Sequence, residues 1–74
     1  MSILPVLAAR EVIRRLARAG FVHVKTQGSH YIFRHLQTGR ITSVPRHGGK
    51  DIGRGLLGQI LKQAGISIER FLKL

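Results

Sequence analysis

The sequence contains no cysteine, no tryptophan, two prolines and three acidic residues in a chain of 74. Without cysteine there is no disulfide framework and no thiolate zinc site. The acids, Glu11, Asp51 and Glu69, fall in separate segments, which argues against a carboxylate cage for magnesium. His30 and His35 would point to opposite faces of one strand, and metal ligands must converge, so neither a metal nor a cofactor is expected. No apolar run approaches the roughly 18 residues of a membrane span, and no long basic amphipathic helix is present to lie on a membrane surface. Met1 to Pro5 is too short an apolar run for a signal peptide. The expected compartment is the cytoplasm. A chain this short makes one domain, residues 1–74, and buries only about 60% of the surface its unfolded form exposes. Any site must therefore be open, which suits a polymer better than an enclosed small molecule.

What the chain has in excess is positive charge. Thirteen Lys and Arg against three acids give a formal charge of +10. A polyanion is the natural partner, and with the membrane routes closed that means nucleic acid.

Apolar Ala9, Val12, Ile13, Leu16 and Ala17 recur at helical spacing from Ala8 to Ala19, with arginines around the rest of the helix and Gly20 as its stop. Ala8 stands where Ser or Thr would cap best, so the first turn is weakly anchored. Phe21 to Thr26 is β-branched and aromatic between Gly20 and Gly28, hence a strand, in which His23 reads as a partly packed histidine. His30 to His35 returns antiparallel after Gly28-Ser29, and Thr38-Gly39 turns the chain into a third strand from Ile41 to Val44. Pro45 ends that strand, and Arg46 to Asp51 reads as a basic, glycine-containing loop without P-loop spacing. Leu56, Leu57, Ile60, Leu61 and Ala64 form the core stripe of a second helix from Arg54 to Ala64, ended by Gly65. Ser67 starts a short last helix with only half of a capping box. The order is α-β-β-β-α with a short tail helix, an α+β layout with one sheet face covered and one open.

Within it, Gly28-Ser29-His30 carries the chemistry. Glycine allows a tight turn that fixes where the next side chain emerges, and Ser29 adds a hydroxyl able to touch phosphate. An imidazole can take a proton in one step and return it in the next at cellular pH. RNA cleavage asks for that, because the ribose 2'-hydroxyl is already tethered beside its phosphate. Alternation along the strand sets Tyr31 and Phe33 on the core face and His30 and Arg34 together on the other.

Gly28-Ser29-His30 with Phe33, then Val44-Pro45-Arg46-His47 and Lys50-Asp51, then Ile60-Leu61-Lys62-Gln63-Ala64-Gly65-Ile66, resembles the HicA (YcfA-like) family of toxin–antitoxin systems. Leu56 stands where members commonly carry Thr. The resemblance implies a small ribonuclease that cleaves messenger RNA, a fold like that of double-stranded-RNA-binding domains, catalysis by the histidine of the motif, and silencing by a HicB-like antitoxin. Operator DNA would be met only through the antitoxin complex. The expected site is His30 as general base or acid, with Ser29, Arg34, Arg46, His47 and Lys50 as RNA-binding candidates. His47 and Lys50 serve a structural or antitoxin contact equally well. The alternatives are a non-catalytic RNA-binding module with the same positive surface, or a small interaction protein matched to an acidic partner.

Overall fold

Helix α1 spans Ala9–Arg18, and its buried Ala9, Val12 and Leu16 recur at the spacing that keeps one face of a helix on the core. Ala17, expected in that stripe, is exposed, and the neighbouring Ala19 is buried instead. The computed structural model describes residues 3–46 and 49–74. As the sequence implies, Ala8 precedes α1 with no side-chain cap, and Gly20 follows it at φ +103°, a left-handed angle that glycine adopts without strain.

Three antiparallel strands follow, β2 (Phe21–Gln27), β3 (His30–His35) and β4 (Ile41–Pro45), with β3 in the middle. The third strand runs one residue beyond its expected end. Pro45 pairs with His30, and a proline is tolerated there because β4 is an edge strand. Strand β2 carries an irregularity between His23 and Lys25, a β-bulge at Val24.

A further two-residue pair had no signal in the sequence. Leu7–Ala8 (β1) pairs antiparallel with Asp51–Ile52 (β5), so the end of the expected basic loop is strand. Arg54 Nε reinforces this junction by donating to the Leu4 carbonyl at 2.8 Å.

Helix α2 (Arg54–Ala64) has the expected bounds, with Gly65 at φ +73° closing it. Leu57, Ile60, Leu61 and Ala64 are buried, but Leu56 is 40% exposed. One helical step of about 100° carries Leu56 off the core stripe onto the flank of α2. Helix α3 (Ile68–Leu72) is capped by the Ser67 side chain, which accepts from Arg70 N at 3.1 Å.

The result is the α+β layout of a double-stranded-RNA-binding domain. Phe21, Phe33 and Val44 of the sheet join Val12, Leu16, Leu57, Ile60, Leu61 and Phe71 in one core. Cross-strand partners share a face, so Val22, Arg34 and Ile41 lie together on the other side, as do Lys25, Ile32 and Ser43, and Gln27, His30 and Pro45. The Cα atoms span only 17 Å in the thinnest direction, which leaves no depth for an enclosed pocket.

Candidate functional site

Gly28 turns the chain at φ +58°, and His30 opens β3 immediately after it. His30 and Pro45 form a non-hydrogen-bonded pair, with the proline nitrogen turned to the free edge, and the ladder between β3 and β4 closes at the next pair, where Arg46 N donates to the Ser29 carbonyl at 2.7 Å. The half-buried Ser29 is thereby tied to the start of the loop after β4.

His30 is exposed and stands over a groove between the open face of β4 and the flank of α2. The groove is lined by His30, Ser43, Pro45, Leu56, Gln59, Ile60 and Gln63, and holds about 370 Å³, near the lower end of ligand sites. Its far wall is positioned by Thr42. That buried hydroxyl lies 3.3 Å from the Ile60 carbonyl and 3.0 Å from Gln63 Oε1, its one proton shared between them. Arg40 adds a bond from Nη1 to the Gln63 carbonyl at 3.3 Å. No acid lines the groove, so a phosphate entering it meets an imidazole, an alcohol and two amides without a like charge.

Sequence reasoning missed that wall. Leu56, Gln59 and Gln63 are spaced i, i+3 and i+7, a flank beside the core stripe, and this periodicity was the available signal.

The other expected site residues disperse. Arg34 shares the open face with His30 but lies four residues along β3, about 13 Å away at the rise of a strand. It does not line the groove. Arg46 turns to the opposite face, its guanidinium 5.7 Å from the Tyr31 ring centroid, and borders a second cleft with Ala8, Ala9, Arg10, Gly49 and Asp51. Lys50 is exposed just before β5. His47 lies outside the described residues.

His35, at the other end of β3, belongs to the scaffold. Its Nδ1 accepts from the backbone N–H groups of Gln37 and Thr38, both at 3.1 Å, which leaves the proton on Nε2, donated to the Ala19 carbonyl at 3.0 Å. Its ring packs edge-on against Phe21. Two of the arginines of α1 are likewise engaged within the fold. Glu11 accepts from Arg14 at 2.6 Å and from Arg15 at 2.9 Å, and hydrogen bonds from Arg14 first and Arg15 second hold its carboxyl down at about 2, from an ordinary 4.5. Arg15 also lies over the Phe71 ring and donates to the Phe71 carbonyl, which docks α3 on α1.

Among the described residues, no three His, Cys, Asp or Glu side chains gather as a metal site would require, and no helix is long and apolar enough to cross a membrane. No curated protein matched the chain. The family model for the HicA toxin of bacterial toxin–antitoxin systems matches residues 9–66. That span takes in α1, the three-stranded sheet, the Gly28-Ser29-His30 turn and α2, and with so much of its length matched the chain belongs to the HicA toxin family.

Proposed function

We propose that the protein is an endoribonuclease toxin that cleaves messenger RNA without a metal, with His30 as the group that moves the proton. The observation that carries this reading is the exposed His30 imidazole over an acid-free groove on the open sheet face. An RNA strand laid along that groove brings its own nucleophile, so the protein needs only to hold the phosphate and transfer one proton.

In the proposed reaction the imidazole takes the proton of a ribose 2'-hydroxyl as that oxygen attacks the adjacent phosphorus. The bond from phosphorus to the 5'-oxygen of the next nucleotide breaks, and the leaving oxygen receives the proton from the imidazolium. The products are a 2',3'-cyclic phosphate and a 5'-hydroxyl. Ser43, Gln59 and Gln63 offer neutral hydrogen-bond donors to the phosphoryl oxygens, where charge grows in the transition state. Arg34 lies far enough along the strand to meet a neighbouring phosphate, and Ser29, Arg46, His47 and Lys50 extend the RNA-binding surface from the turn and the loop. The regulating partner is a HicB-like antitoxin that covers the groove.

The test is incubation of the pure protein with RNA in EDTA. Cleavage with a 2',3'-cyclic phosphate on the upstream product is expected, and DNA or 2'-O-methyl RNA should resist. A metal requirement, or equal cleavage of DNA, removes the mechanism. RNA bound but never cut leaves the non-catalytic binding module.

A further inference from the structure

His23, set aside in the sequence as a packed strand histidine, is exposed and yet held in place. Its Nε2 lies 2.8 Å from Thr26 Oγ1, and its ring meets those of Tyr31 at 5.3 Å and Phe33 at 5.6 Å between centroids. Residues three apart on a regular strand face opposite ways. The bulge at Val24 changes that parity, so His23 and Thr26 emerge on the same side, with Tyr31 opposite Thr26 on β3. From the β4 side, the exposed Arg46 lays its guanidinium over the same Tyr31 ring.

Three planar, delocalised groups from three adjacent parts of the sheet thus stand in a row, with Tyr31 half-buried in the middle and His23 and Arg46 exposed at its sides. The His23 and Tyr31 planes are inclined by only 34°. Packing accounts for the inner side of Tyr31, which joins the core, but not for a bulge and a hydrogen bond that orient an exposed imidazole. A planar partner gains from planes fixed in advance, since little side-chain freedom is lost on docking. In a chain of charge +10 the planar partner with a matching negative backbone is a nucleotide.

We propose that His23, Tyr31 and Arg46 form a stacking platform for a base of single-stranded RNA, on the face of the sheet opposite the His30 groove. His30 and Tyr31 are consecutive on β3 and point to opposite faces, so the platform and the groove are separated only by the edge of the sheet at the Gly28-Ser29 turn. Among the described residues, even an added Cβ at Gly28 would meet nothing within 4 Å. A strand passing over the turn has its reacting phosphate in the groove and a flanking base on the platform. The inference rests on the RNA reading above and adds where a neighbouring nucleotide is gripped.

The chain reports on the platform directly, because Tyr31 is its only tyrosine and it has no tryptophan. The experiment titrates an uncleavable 2'-O-methyl oligoribonucleotide into the intact protein, following the oligonucleotide by anisotropy and Tyr31 by its intrinsic fluorescence. Both signals should saturate on one curve. His23→Ala and Arg46→Lys, the second keeping charge and losing the plane, should each weaken binding about five-fold or more, with the salt dependence unchanged. If RNA binds while Tyr31 fluorescence stays flat and both variants bind like the intact chain, the platform falls and the RNA reading stands. If the variants instead lose only antitoxin binding, the row is a protein contact and the proposal is overturned. If no RNA binds at all, both readings fall together.

Discussion

The N–H of Arg46 donates to the carbonyl of Ser29 at 2.7 Å, fastening the chain that leaves β4 to the turn that delivers His30. One backbone bond therefore couples the basic loop to the catalytic candidate, while the Arg46 side chain faces away from it. On the proposed reading, binding and chemistry should therefore be separable by mutation, with His30 as the chemical part.

His30→Ala should lower RNA cleavage by about two to four orders of magnitude, the range for removing a general acid or base, and should abolish growth inhibition. Because the side chain is exposed, the circular dichroism spectrum should be retained, along with most RNA affinity. A folded variant that still cleaves would move the active site elsewhere.

His35 should behave in the opposite way. His35→Ala removes the part-buried bond to the Ala19 carbonyl, worth about 0.5–1.5 kcal/mol, together with the acceptor of the Gln37 and Thr38 N–H groups and the edge-on packing against Phe21. Urea unfolding reads this as a lower midpoint at unchanged slope, with cleavage by the folded fraction preserved. Gly20→Ala tests the same contact from the other side. Its φ is +103° and the new Cβ would come within 2.8 Å of His35 Nε2, so it should destabilise by more than about 1 kcal/mol.

These two histidines mark how much of the molecule was legible. Helix and strand bounds followed the glycines and the apolar periods closely, because Gly20, Gly39 and Gly65 mark turns that take left-handed angles. The β1–β5 pair was not legible. Two residues carry no periodicity, and the partners Leu7 and Ile52 meet only once α1 and the sheet have folded between them. Half of the candidate site was legible for a similar reason. The Gly28-Ser29-His30 turn is local, whereas Gln59 and Gln63 reach the groove only through the docking of α2 on β4 by Thr42. Alternation put Arg34 on the correct face but says nothing of its distance from His30, and the bulge that re-aims His23 leaves no mark in composition.

Glu11 supplies a pH dependence. Its carboxyl is held down at about 2 in the folded chain against an ordinary 4.5, so the folded state binds protons less readily than the unfolded one. The stabilisation is fully present above about pH 4.5 and is lost as pH falls towards 2. Compared with Glu11→Gln, the intact protein should show a higher urea midpoint at neutral pH, and the two should converge near pH 2. Curves that stay parallel throughout would show that the Arg14 and Arg15 contacts contribute nothing in solution.

Arg34 and Lys50 are exposed cations outside the groove, so their contribution should be electrostatic. On uncleavable RNA, log affinity should fall linearly with log salt, and Arg34→Ala or Lys50→Ala should each flatten the slope by about 0.7 if the residue meets a phosphate. An unchanged slope for Lys50→Ala would assign that residue to the β5 scaffold or to the antitoxin.

The antitoxin prediction starts from the apolar side chains on the open sheet face and in the groove wall. Ile41 is 57% exposed, Leu56 40% and Val22 37%, with Val22 and Ile41 beside Arg34 on the open face and Leu56 in the wall facing His30. RNA gains little from isolated aliphatic side chains on this face, whereas a protein covering it would bury them at roughly 25 cal/mol per Å². A HicB-like partner should therefore place apolar side chains against Ile41 and Leu56 and acidic ones near His30 and Arg34, speeding encounter and competing with RNA. Co-expression with the adjacent reading frame should yield a stable complex that no longer cuts RNA. Ile41→Ser, which removes the apolar contact without adding a charge opposite Arg34, should weaken that complex at least tenfold and restore cleavage, while the free variant cuts RNA at the rate of the intact chain. If Ile41→Ser leaves the complex intact and silent, the antitoxin does not use the open face, and masking of His30 has to come from the α2 side of the groove alone.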